Sequence, residues 1–311
     1  MSQRVAIYGI DLTGQGFPNA YRALEEVLAF LDHADPKLGI ATRADFADVV
    51  KFRVDRFTML SQAEQNRISL KIDDLVALLA LKRPQLTAAT SSNNYEWALR
   101  HAINAKQDDD YLRLAPPGWQ GWASEFPQKP NLLFESRFRD MLTMREVAMA
   151  DNLRWVLERS GPQGRVVLFA HDNHVKMHEL RLRSSEPDFS SWDGLQPAGV
   201  FARSELGNDL VVIGTYYGTA EGFETTNHVL PPNQHAMDGL LASLGLPTYL
   251  IDLRELPKLG PLADWFLCSH EVRDGLAGIN LVRASEAYDA ILYIDRLTPS
   301  RRPTDLQSSD R

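Results

Sequence analysis

A single cysteine in 311 residues rules out an internal disulfide, and Cys268, set in Trp-Phe-Leu-Cys, reads as buried packing. Basic residues are also short: 33 Lys plus Arg against 41 Asp plus Glu leave a net charge of −8. That balance argues against a nucleic-acid or anionic-membrane partner, since both need clustered cations to displace counterions. No apolar run approaches the roughly 18 residues of a membrane-spanning helix. The first residues, MSQRVAIYGIDLTGQG, carry charge early and lack the apolar core and cleavage site of a signal peptide, so the cytoplasm is the expected compartment. Three motifs are missing as well. There is no Gly-x-Ser-x-Gly nucleophile elbow, no His-Glu-x-x-His, and no Gly-x-Gly-x-x-Gly within the glycine-rich 214–223.

What is present reads as an ordinary globular α/β chain. Residues 4–10 form a short β-rich run ending at Asp11, which predicts a buried first strand. Helical spacing follows at 20–32, around 44–53, at 61–82 and at 94–107, with Asn19 and Ser61 placed to cap. Residues 114–131 hold four prolines with Trp119 and Trp122, a packed loop rather than a linker. A long helix is predicted from about 136 to 159, closed by Ser160-Gly161-Pro162. Short β-rich runs then come at 165–170, 209–217, 247–253 and 289–295. Alternating with helical or loop segments, they predict a mostly parallel sheet flanked by helices. The expected architecture is one α/β domain over 1–299 with a large helical block, about 19–135, after the first strand. The polar tail 300–311 is expected to be disordered.

Functional groups in such sheets gather past the carboxyl ends of strands. Here His171, Asp172, Asn173 and His174 follow directly on 166–170. Two imidazoles beside a carboxylate and an amide can supply a general base and a group that orients it. His174 and His178, four residues apart, are also a weak zinc pair; without the Glu of the zinc motif no metal site is assigned. The plain alternative is a helix cap or satisfied core polar groups. The second cluster is on the long helix, where Arg145, Met149, Asn152 and Val156 share one stripe. Arg145 and Asn152 on a core-facing stripe need partners. They either orient an anion or carbonyl in a polar cavity, or pair with a nearby carboxylate and a loop backbone. Asp11 is a candidate substrate contact or a helix cap. His228 and His235 read as surface residues. Trp119, Trp122 and the loop 181–198 line an apolar cleft or simply pack.

With IYGIDL, REVAMADNLRWVLE, VVLFAHDNHV, GVFARSELGNDLVVIGTYYGTAEGF, LPTYLIDLR and DAILYIDRLTPSRRP in this order, the chain resembles the erythromycin esterase family from Tyr8 to about Pro303. The resemblance implies hydrolysis of an ester or macrolactone by an activated water, with no obligatory metal or organic cofactor. The family's Ala-His-Asn-x-His motif falls on Ala170, His171 and His174. Its Arg-x-x-x-Met-x-x-Asn-x-x-Trp helix falls on Arg145, Met149, Asn152 and Trp155. His171, His174 and Arg145 are therefore the candidate catalytic residues, with Asn152, Asn173 and Asp11 as candidate substrate contacts.

Two departures stand out. Asp172 occupies the family's usual Asn, where a carboxylate favours the imidazolium of its neighbour; Asn173 next door is a substitute amide. The family's Gly-Glu-x-x-His-Gly, whose Glu and His are thought to activate the water, occurs nowhere in the 311 residues. Three expectations follow: an esterase or lactonase impaired by that loss, a non-catalytic module that keeps the pocket, or an incomplete reading of a longer enzyme. The lost strand would leave a sheet edge open, so self-association into a homo-oligomer is the expected protein contact, beside a small-molecule ester or lactone.

Overall fold

The computed structural model describes residues 5–12, 20–49, 57–116, 119, 131–183, 192–220, 236–274 and 278–298. Asn19, Trp122, His228, His235, most of 114–131, residues 184–191 and the tail 300–311 lie outside them. The chain divides into two compact units, residues 1–168 and 169–311.

The first unit is helical. Helix α1 (Ala20–Ala34) buries Ala23, Leu24, Val27, Leu28 and Leu31 on one stripe, as its 3.6-residue periodicity requires. Helix α2 (Pro36–Phe46) starts where Asp35 caps the Leu38 N–H at 3.2 Å and Pro36 presets the first turn. Helix α3 (Gln62–Leu81) opens on a capping box: Ser61 Oγ accepts from the Glu64 N–H, and Glu64 accepts from the Ser61 N–H at 2.9 Å. The short α4 (Arg83–Ala89) leads to α5 (Ser92–Arg113), whose Ala98, Ala102 and Ala105 are buried and let α1 pack closely. Helix α6 (Leu132–Ser160) ends at Gly161, whose φ of 75° is the left-handed region glycine tolerates best.

Residues 5–12 form no strand. They lie along this helical block through Tyr8, whose ring stacks on Trp97 and meets Trp155 edge-on. Val5 and Ile7 face solvent at 90% and 95% exposure. Nor do residues 165–170 join a sheet: among the described residues none of them makes a backbone hydrogen bond, and Val167 and Phe169 are 94% and 99% exposed. Both segments carry strand composition, but composition becomes a strand only where a neighbour accepts its ladder.

The second unit holds a turn of helix α7 (Asp172–Val175), α8 (Ala198–Leu206), α9 (Met237–Ala242), α10 (Pro261–Leu267) and α11 (Ala284–Ala287). Its two described sheets have three strands each. In one, β2 (Ile213–Ala220) runs parallel to β6 (Ala290–Leu297), with Tyr216 opposite Tyr293, and β3 (Thr248–Asp252) is antiparallel to β6. In the other, β1 (Leu182–Arg183) and β4 (His270–Asp274) flank β5 (Gly278–Val282), both antiparallel. Among the described pairings only β2 with β6 is parallel, so the expected mostly parallel sheet gives way to mixed and antiparallel ones. The core gathers Tyr216, Met237, Phe266, Val272, Val282, Ile291 and Tyr293. Cys268, expected in the core, is exposed, because it caps the end of α10 after Phe266 has taken the buried position.

Candidate active site

The histidine cluster is a tight turn in the second unit. His171 is the N-cap of α7: its Nδ1 accepts the Asn173 N–H at 3.2 Å, and its carbonyl accepts the His174 N–H at 2.8 Å. An Nδ1 that accepts leaves the neutral ring protonated on Nε2, and the residue is exposed. His174 sits in the last residues of the same turn, half-buried.

Neighbouring strands hold this turn in place. The Asp172 carboxylate accepts the Thr215 N–H of β2 at 3.0 Å. Asn173 is buried, and its side-chain oxygen accepts from Asn280 Nδ2 of β5 at 2.9 Å. The Met177 N–H donates to Ala287 O at 3.0 Å. Behind the turn, α8 approaches so closely that a Cβ on Gly199 would stand 1.9 Å from Val175 O, so only glycine fits there. Asn173 thus faces β5, and the departing Asp172 secures β2. Neither partner was legible in the sequence, being 107 and 43 residues away. The zinc reading of His174 with His178 does not stand, because the helix ends at Val175 and the two rings share no helical face.

The second cluster belongs to the first unit. Arg145 grips Asp11 with two N–H groups, Nε to Oδ1 at 2.8 Å and Nη2 to Oδ2 at 2.5 Å. Burial works against the Arg145 charge, yet the Asp11 bonds outweigh it and raise its pKa. Asn152 is buried; its Nδ2 donates to Ile10 O at 2.7 Å and its Oδ1 accepts from Arg100. Arg100, itself buried, also pairs with Asp151 at 2.8 Å and lies over the Trp155 ring; burial lowers its pKa. The local arrangement is the one in which Arg145 meets a carboxylate and Asn152 a loop backbone. Arg100, which completes it, was missed because nothing in α5 marks it apart from other surface-type arginines. Trp119 is buried against Tyr111 and Phe138, hence packing rather than a cleft wall.

The sequence profile of a family described as erythromycin esterase matches residues 1–297. Comparison with the curated proteins gives no match. Among solved structures, a protein from Bacillus cereus is similar with a TM-score of 0.74 at 16% identity, over 96% of this chain and 68% of that one. A succinoglycan biosynthesis protein gives 0.69 at 15% identity, over 97% and 67%. A mutant of the erythromycin esterase EreC in its open conformation gives 0.61 at 16%, over 93% and 68%. At such identities these likenesses are of fold.

Proposed function

This chain belongs to the erythromycin esterase family, and from that membership we propose that it is a hydrolase of ester or macrolactone bonds, acting through water. The observation that carries the reading is the His171–His174 turn, which stands where the family places its Ala-His-Asn-x-His motif. In a hydrolysis of this kind the scissile carbonyl gains negative charge on oxygen as water adds, and a hydrogen-bond donor aimed at that oxygen lowers the barrier. With Nδ1 occupied by the Asn173 N–H, His171 is suited to polarise the carbonyl through Nε2–H rather than to take a proton. His174 is the group proposed to accept the proton of the attacking water. The role proposed for Arg145, steadying an oxyanion, falls to Nη1, because Nε and Nη2 are directed at Asp11. Asn173, Asn152 and Asp11, the candidate substrate contacts, act in this reading as supports for the two clusters. No metal or organic cofactor enters the scheme.

The purified chain is expected to convert a macrolactone into its ring-opened hydroxy acid, heavier by one water, and an aryl ester into the free acid and the phenol. The rate in His171→Ala is expected to fall by about 10²–10³. No product above that of the variant would overturn the reading. A second reading, a binding module without turnover, is favoured by the bonding of both ends of the Asn152 amide to protein partners and the commitment of Arg145 Nε and Nη2 to Asp11. It predicts a ligand-induced rise in Tm with no hydrolysis.

A further inference from the structure

Glu179, Arg181, Ser269, Leu281 and Arg283 line a cavity of about 200 Å³ in the second unit, together with His178, Gln196 and Glu286. The sheet register explains why these side chains meet. Leu182 pairs with Asn280 and Glu271 with Leu281, and the Leu281 N–H donates to Arg181 O at 2.7 Å. Carrying the register outward sets Arg181 opposite Leu281, and both Glu179 and Ser269 opposite Arg283, all on one face. The alternate residues Leu180, Val272 and Val282 are buried on the other face. The cavity is therefore built on the polar face of the antiparallel sheet, apart from the His171–His174 turn.

Three features of its lining are unsatisfied or held in reserve. Arg181 directs Nε and Nη2 to one oxygen of Glu179, at 3.0 and 2.8 Å, and Arg283 directs Nη1 to Glu286 at 3.1 and 3.2 Å. Arg181 Nη1 and Arg283 Nε and Nη2 donate to no described residue. His178 Nδ1 lies 2.6 Å from Glu179 O, a pure acceptor, so the proton is on Nδ1 and the lone pair on Nε2. That Nε2 is buried and has no hydrogen-bond partner among the described residues. Burial lowers the His178 pKa, and Lys176 and Arg181 act the same way against the opposing pull of Glu179 O and Glu286. A buried acceptor left without a donor costs free energy that a ligand's hydroxyl recovers.

We propose that this cavity binds a small oxyanion carrying its own proton donor, a hydroxycarboxylate or a phosphate, with the oxyanion held by Arg181 and Arg283 and the donor directed to His178 Nε2. The two guanidinium forks supply planar N–H pairs that match such oxygens. Glu179 and Glu286 cancel the two arginine charges, so long-range attraction is weak and recognition rests on contact geometry. An oxyanion without a proton, such as sulfate, gains nothing from His178 and meets an acceptor it cannot satisfy.

Calorimetric titration of the full chain at neutral pH with L-malate, inorganic phosphate and sulfate tests this. Malate or phosphate is expected to saturate one site with Kd of about 1 mM or below, and sulfate to bind at least about tenfold more weakly. Arg181→Gln and Arg283→Gln, at partly exposed positions, are each expected to keep the wild-type Tm and weaken binding about tenfold or more. His178→Phe is expected to abolish the preference over sulfate. Should that variant fold poorly, the ¹⁵N shift of His178 Nε2 in the wild type, which moves only if a donor reaches it, replaces the measurement. Malate binding without phosphate binding identifies the hydroxycarboxylate, and the converse the phosphate. The proposal is overturned if neither saturates, if sulfate binds equally well, or if both arginine variants bind as the wild type does.

Discussion

Arg145 and Asp11, 134 residues apart, are joined by a two-point ion pair in which Nε meets Oδ1 and Nη2 meets Oδ2. The pair fastens residues 5–12 to α6, and the Asn152 bond to Ile10 O repeats the attachment one residue earlier and two helical turns along. Both side chains are partly exposed, at 29% and 48%, so solvent screens much of the attraction. A double-mutant cycle with Arg145→Met and Asp11→Asn is expected to give a coupling of about 1 kcal/mol in the unfolding of the first unit. A coupling indistinguishable from zero would mean that Tyr8 and Asn152 alone hold the segment.

Asp172 secures the histidine turn to β2 by accepting the Thr215 N–H. An amide oxygen can accept the same bond, so Asp172→Asn is expected to keep the wild-type Tm, whereas Asp172→Ala loses the acceptor and costs about 1 kcal/mol. Thermal melts of the two variants check this. Equal destabilisation would show that the carboxylate charge, and not its position as an acceptor, matters.

Asp109 is buried in α5, and burial pushes its carboxyl up to about 6 against the opposing Ser69 hydroxyl, Arg113 and Lys106; Asp110 adds to the rise. Its folded pKa is thus above the unfolded 3.8, and the folded state binds the proton more tightly. Its contribution is fully present below pH 3.8 and is lost as pH rises through about 6. Above that, the folded state carries a penalty of up to about 3 kcal/mol. Asp109→Asn is expected to raise the Tm at pH 8 and to leave it nearly unchanged at pH 4. A variant no more stable than the wild type at pH 8 would contradict this.

Val167 and Phe169 stand almost fully in solvent on a segment with no backbone partner among the described residues. Edges and apolar ribbons of this kind promote association between copies. Sedimentation velocity is expected to show a concentration-dependent oligomer that Phe169→Asp reduces. A wild-type chain that stays monomeric across the accessible range would remove this expectation.

Most of the helical block was legible from local pattern. The apolar stripe of α1, the capping box at Ser61 and the glycine closing α6 are interactions within about four residues, so sequence spacing alone specifies them. The strands around Tyr216, Leu250 and Tyr293 were also legible, since their β-branched and aromatic runs are long enough to stand out. The short β1, β4 and β5 were not, because they span only two to five residues and polar residues such as Arg181, Ser269 and Arg283 flank them, so each run reads as loop. Residues 5–10 and 165–170 erred the other way. Their composition promises a strand, but a strand is a relation between two segments, and no local pattern supplies the second.

The candidate site divides along the same line. The sequence by itself determined the residue types of the His171–His174 turn and of the Arg145–Asn152 stripe, because both are contiguous or one helical face. Tertiary structure alone decided what each polar group meets: Asp11 for Arg145, Thr215 for Asp172, Asn280 for Asn173, Arg100 for Asn152. A buried polar group must find a partner wherever packing brings one. Those partners lie from 43 to 134 residues away, beyond the reach of any local periodicity.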